Sequence, residues 1–180
     1  RILSSAASDV YKRQNYQYAA ARLLLFSLRK QVFKRLHDHP LLIDHVKFNV
    51  KKGVYDSEIL SLYTEEEFSK LQGFIDHDRD YLFTYAGLRQ VVDKYLVQDR
   101  STGELYESPQ FMYLLISAFI FSKYPKETRL DYVKKYYDAI SKHKINIPTP
   151  IMAGVRTPIR QYASCVLVDI DDTLDSIFSS

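Results

Sequence analysis

The stretch SPQFMYLLISAFIF, Ser108 to Phe121, decides the fold class. Ser108 is a helix-capping residue type, and Pro109 suits the first helical position, where its missing N–H costs nothing. The apolar run from Phe111 to Phe121 falls short of the roughly 20 residues a helix needs to cross a bilayer. It predicts a helix buried inside a mainly helical protein.

Helical signals continue on both sides. Downstream, Pro125 starts a further helix with Leu130, Val133, Tyr136 or Tyr137, and Ile140 on one face. Upstream, Lys94–Gln98 and Glu104–Glu107 flank a polar turn containing Gly103 and predict a small β-hairpin. Tyr85–Val92 reads as a helix before it. Thr64 followed by Glu67 is a capping box for a helix that includes Phe68, Leu71, Phe74 and Ile75. Pro40 interrupts the chain, and Leu41–Val50 reads as a helix closed by Lys51-Lys52-Gly53. From Tyr16 to about Leu36, Ala19, Ala20, Leu23, Leu24, Ser27, Leu28 and Val32 recur at helical steps, with Lys30, Lys34 and Arg35 near the negative end of the dipole. Residues Arg1–Gln14 (RILSSAASDVYKRQ) lack a sustained period and the apolar centre of a signal peptide. They resemble translated adapter-like tails at the ends of assembled reads and are expected to be a leader outside the fold.

Composition narrows the function classes. The 180 residues suffice for one sizeable core. A net charge of +3 with interspersed signs predicts no nucleic-acid partner and no membrane partner. A single cysteine and no secretory signal predict a cytoplasmic, reducing location. Most of the fifteen tyrosines stand at helical spacing beside aliphatic residues, where packing at the core or its rim is expected.

The single cysteine lies in PTPIMAGVRTPIRQYASCVLVDIDDTLDSI, Pro148 to Ile177. Pro148 and Pro150 are expected to end helical order, and the apolar, β-branched Cys165–Ile170 stretch predicts a buried terminal strand. Ser164 and Cys165 would then present a hydroxyl and a thiol at a loop–strand junction, where ligands gather in α/β folds. Thr149, Arg156 and Arg160 form a set suited to phosphate, and Asp169, Asp171, Asp172 and Asp175 are acceptors for ribose hydroxyls or a metal. The plainer reading makes Cys165 a small buried hydrophobe. Asp76-His77-Asp78-Arg79-Asp80 is expected to pair locally, since neighbouring helical positions do not converge on one ion, and His37-Asp38-His39 is expected in a solvated loop. No phosphate loop, GxGxxG, zinc-spaced cysteine pair or nucleophile elbow occurs.

From Asn15 onward the chain resembles the large, catalytic α subunit of bacterial class I ribonucleoside-diphosphate reductase. The blocks that carry the resemblance are YQYAAARLLLFSLRKQ (Tyr16–Gln31), YTEEEF (Tyr63–Phe68), FIDHDRD (Phe74–Asp80), KYLVQDRSTGELYESPQF (Lys94–Phe111), YPKETRLDYVKKYYDA (Tyr124–Ala139) and the PTPIMAGVRTP to SCVL segment. The resemblance implies a division into the last helix of an ATP-cone (residues 15–38), an N-terminal helical region (39–147), and a substrate loop with the first barrel strand and the start of the specificity site (148–180). It implies a parent fold of a ten-stranded α/β barrel preceded by the helical region and the cone. This piece is expected to be mainly α, with one hairpin and a terminal strand.

Reduction of ribonucleoside diphosphates to 2′-deoxyribonucleoside diphosphates by thiyl-radical chemistry is the activity the resemblance implies. Cys165 aligns with one of the two reducing cysteines, its partner lying outside this chain. Thr149 and Ser164 align with residues that hold the substrate diphosphate or ribose. Asp172, Thr173 and Leu174 align with part of the specificity site, Asp172 as ribose acceptor, and Lys30 aligns with a lysine near the phosphates of an activity effector. A solvated lysine at a helix end is the plainer reading of Lys30. No metal or cofactor is expected on this piece. ATP or deoxynucleotide effectors, a second large subunit, the metal-containing small β subunit that supplies the radical, and thioredoxin or glutaredoxin are the implied partners. The chain ends before the radical cysteine and is expected to be an inactive fragment. Two other classes stay open: a nucleotide-binding regulatory module would need the Asp171–Asp175 turn but not Cys165, and a helical protein-interaction module would need neither.

Overall fold

The computed structural model describes residues 2–34, 38–160, 162–163, 165, 173–174 and 178, with the backbone alone for 2–14. Helix α6, Pro109–Ile120, is the axis of the core: every residue from Pro109 to Ala118 is buried. Burying one Leu, Ile, Phe or Met side chain contributes about 1.5–3 kcal/mol, so the run from Phe111 to Ile116 dominates the local energetics. Ser108 occupies the N-cap and Pro109 the first helical position, as predicted, but the Ser108 hydroxyl donates to and accepts from no described group. Only its carbonyl serves the helix, accepting Met112 N–H at 3.0 Å.

Helix α7, Lys126–Ser141, packs on α6 with Val133, Tyr137 and Ile140 inward. Of the two candidate tyrosines, Tyr137 is fully buried and Tyr136 partly so. The Tyr137 hydroxyl donates to Gln110 Oε1 (2.7 Å) and accepts the Asp76 amide (3.0 Å), which links α7, α6 and the segment at 76. Helix α4, Glu65–Gln72, has the predicted capping box: Thr64 accepts Glu67 N–H, and the Glu67 carboxylate accepts Thr64 N–H. Phe74 and Ile75 fall beyond its end yet still pack on the core. Arg129 of α7 grips Glu67 through both Nε and Nη2, tying α7 to α4.

Helix α1 runs Ile2–Phe33, its backbone including residues 2–14. Ala21, Leu25 and Leu28 are its buried face, against helix α5, Tyr85–Gln90, and the 3-10 helix His77–Leu82. It ends at Lys34, whose positive φ of 58° turns the chain before the expected Leu36 boundary. Helix α2 spans Leu42–Lys51 and closes at Gly53, where φ is +75°, a conformation that favours glycine. Helix α3, Glu58–Leu62, leads into α4.

The predicted hairpin reduces to one antiparallel bridge, Gln98 with Leu105. Two competitors explain this. The residues expected to begin its first strand instead complete a π-helical turn, Val91–Tyr95, whose Val92, Asp93 and Lys94 carbonyls accept from the Gln98 amide and the Arg100 guanidinium. The Val97 amide donates to the Glu107 carboxylate at 2.7 Å. His39 also departs from its expected solvated loop, since its ring stacks on His77 at 3.5 Å between centroids. The predicted terminal strand, Cys165–Ile170, lies outside the described residues except for Cys165 itself.

Candidate functional site

Pro148 and Pro150 do not end helical order; they start it. Pro148 is the N-cap and Pro150 the second residue of helix α8, Thr149–Gly154. Those are the positions where a missing N–H breaks no intrahelical bond.

Helix α8 is fixed by one buried ion pair. Arg156 and Glu107 have no exposed side-chain surface, and the guanidinium meets the carboxylate through both Nε and Nη2. Its other contacts are to the carbonyls of Met152 and Tyr95, the latter at 2.8 Å. Glu107 in turn accepts from the Tyr55 hydroxyl (2.6 Å) and the Val97 amide (2.7 Å). Burial works against the Arg156 charge, but Glu107 more than offsets it and holds the guanidinium above its ordinary range. Burial first, then the Glu107 charge, push the Tyr55 hydroxyl well above its ordinary range.

Beyond α8 the chain is pinned to the segment before α3. The Asp56 amide donates to the Arg156 carbonyl at 2.9 Å, and Arg160 pairs with both Asp56 (2.5 Å) and Glu58. The expectation that Arg156 and Arg160 offer two forked cations to phosphate is therefore corrected for Arg156, whose buried guanidinium Glu107 and two backbone carbonyls saturate, leaving little for an external anion. Arg160 pairs with Asp56 and Glu58 through Nη2 alone and stays 43% exposed.

The remaining predicted residues fall as follows. Thr149, first residue of α8, is exposed, and its hydroxyl lies 3.4 Å from that of Tyr95. Such a hydroxyl can donate to an anionic oxygen. Cys165 is exposed, which sets aside the reading of it as a buried hydrophobe. Thr173 and Leu174 are exposed, Leu174 at 72%. Lys30 is exposed on the last turn of α1. Ser164 and Asp172 lie outside the described residues, as do Asp169, Asp171 and Asp175. Glu107 escaped sequence reading because its partner is 49 residues away; a carboxylate just before the Ser108-Pro109 cap of a fully apolar helix was the available signal. The Asp76–Asp80 cluster has the expected structural role, but only Arg79–Asp76 is a local pair; Arg79 also meets Asp138 of α7, and Asp80 meets Arg29 of α1. Among the described residues, no three His, Cys, Asp or Glu side chains gather as a metal site, and no helix is long and apolar enough to cross a membrane.

Residues 81–160, which carry the α6–α7–α8 frame and its ion pair, match the family described as "Ribonucleotide reductase, all-alpha domain". Those residues define the class of protein. More particularly, the chain is 59% identical over 174 residues, 96% of its length, to the ribonucleoside-diphosphate reductase subunit alpha of Haemophilus influenzae. It is 56% identical over the same extent to ribonucleoside-diphosphate reductase 1 subunit alpha of Escherichia coli, and 44% identical over 177 residues to the subunit alpha of Enterobacteria phage T4. On these matches the chain is identified as a member of the ribonucleotide reductase α-subunit family. It spans 23% of the length of these curated relatives.

Proposed function

We propose that this chain is the helical scaffold and the opening of the substrate site of a ribonucleoside-diphosphate reductase large subunit. The observation that carries the reading is the 59% identity to such a subunit across 96% of the chain, Thr149 and Cys165 included in the resembling segment. In this reading the Glu107–Arg156 pair sets α8 so that the Thr149 hydroxyl meets the substrate diphosphate, with Ser164 as a second hydroxyl donor.

Cys165 supplies one of two thiols. Their oxidation to a disulfide releases two electrons and two protons, which replace the ribose 2′ hydroxyl by hydrogen with loss of water. The sequence has one cysteine, so the second thiol belongs to another part of the subunit. The thiyl radical that opens the ribose chemistry depends on the small β subunit and its metal centre. Thioredoxin or glutaredoxin then reduces the disulfide. Asp172, Thr173 and Leu174 contact a nucleotide effector beside a second large subunit, and Lys30 lies near effector phosphates of the cone. The parent barrel continues from Cys165, the location is cytoplasmic, and this chain alone has no reductase activity.

Replacing Cys165 with Ser in the full-length subunit tests the reading against a purely nucleotide-binding module. Thioredoxin-dependent formation of deoxynucleotide is expected to fall to background while effector binding is retained. Undiminished turnover would remove Cys165 from the mechanism.

A further inference from the structure

A cavity of about 490 Å³ lies where the 3-10 helix, α5, α6, the end of α7 and α8 meet. That is the size range of small-molecule sites. Ile140, Ile147 and Met152 supply aliphatic walls, and Phe83 with His143 an aromatic one, their rings tilted at 54° with centroids 4.6 Å apart. His143 stands at φ 55°, in the left-handed position that closes α7 through His143 N–H to Ile140 and Lys144 N–H to Ala139. Glycine is the ordinary occupant of such a position, so a ring is kept there at a conformational cost.

At the inner wall is Tyr113, 95% buried on α6 by its 5% exposure, with no hydrogen bond from its hydroxyl to any described residue. A ligand acceptor would find this hydroxyl free to donate. Burial also raises the Tyr113 ionisation, so the group remains a neutral donor. At the mouth, Gln90 and Asn146 each offer an amide donor and an amide acceptor. The lining contains no lysine, arginine, aspartate or glutamate. A phosphate or carboxylate would therefore meet no counter-charge inside the cavity, although Tyr95 in its lining reaches the Thr149 hydroxyl at 3.4 Å.

We propose that the cavity binds a neutral heteroaromatic ring of nucleobase size, held between the Phe83–His143 wall and the aliphatic wall, with the Tyr113 hydroxyl donating to a ring nitrogen or oxygen and the Gln90 and Asn146 amides reading its edge. The ligand is a base or a base-like ring without phosphate, and the inference stands apart from the reductase reading.

The test is a titration of the 180-residue chain with adenine, followed by side-chain NMR signals of Phe83, Tyr113 and Ile147. Saturable shifts at all three are expected. Tyr113→Phe, which removes only the unpartnered hydroxyl, should weaken adenine about tenfold, the equivalent of one hydrogen bond. Ile145→Trp, at a 43% exposed position on the mouth, should abolish the shifts without disturbing the core. Adenine binding unchanged by Tyr113→Phe, indene binding as tightly as adenine, AMP binding more tightly than adenine, or no saturable shift in a folded wild-type chain would each overturn the proposal.

Discussion

Among the described residues, two buried arginines meet buried carboxylates, and they do so with different completeness. Arg156 uses Nε, Nη1 and Nη2, and Glu107 also takes the Tyr55 hydroxyl and the Val97 amide. Arg29 reaches Asp80 through Nη2 alone at 3.3 Å, donates from the same nitrogen to the His77 carbonyl, and leaves Nε buried without a described partner. Burial therefore pushes Asp80 up to about 6, only partly opposed by the hydrogen bonds of Gln110 and Arg29. A buried ion pair offsets its desolvation only when the remaining donors and acceptors are also satisfied. The saturated pair fixes helix α8; the unsaturated one joins α1 to the 3-10 helix.

The comparison breaks most visibly at Arg156. Arg156→Met leaves the Glu107 carboxylate buried beside only neutral donors, and chemical denaturation should show a loss of about 3–5 kcal/mol. Arg29→Met should cost less, about 1–3 kcal/mol, because Asp80 can take up a proton instead. Its cost should also depend on pH. The folded Asp80 value of about 6 lies above the unfolded 3.8, so that group's contribution is full below about pH 4 and is lost as pH rises through 6. Removing Arg29 raises the folded value further and extends the loss to higher pH.

His39 and His77 titrate in the opposite sense to Asp80, yet they bias the Arg29→Met deficit in the same direction. Burial first, with the Arg29 charge as a further cause for both, holds them at about 4 and about 3, so their contribution is present above 6.5 and lost as pH falls through those values. Without Arg29 that acid loss shrinks. Denaturation of Arg29→Met should therefore show a larger deficit at pH 8 than at pH 5; equal deficits would mean Asp80 is not the proton acceptor. The smallest expected effect is Thr64→Ala at the α4 capping box, about 1 kcal/mol, at a site remote in sequence from both pairs.

Local signals were legible in the sequence where one element settles them. The Thr64–Glu67 box, the Pro109 start, the Val133–Tyr137–Ile140 face and the Gly53 closure need only neighbours three or four residues away. Pro148 and Pro150 were ambiguous, since the same residue type stops one helix and opens another. The hairpin stopped at one bridge because side chains took the backbone groups of the next pair: Glu107 the Val97 amide, and Asn49, 57 residues away, the Tyr106 carbonyl. Arg156 and Arg160 carried the right chemistry for an anion, and only the fold shows that Glu107, Asp56 and Glu58 are those anions. Thr149 and Cys165 stood out by family resemblance, whereas the Tyr113 cavity carried no sequence signal because its polar groups come from separate elements.

Amide hydrogen exchange on α8 tests the central claim, that the Glu107–Arg156 pair sets the position of Thr149, most directly. Comparing wild type with Arg156→Met under native conditions should show protection lost at Met152, Gly154 and Val155 while the amides of α6 and α7 remain protected relative to global unfolding. Equal protection of α8 in the two proteins would contradict the account.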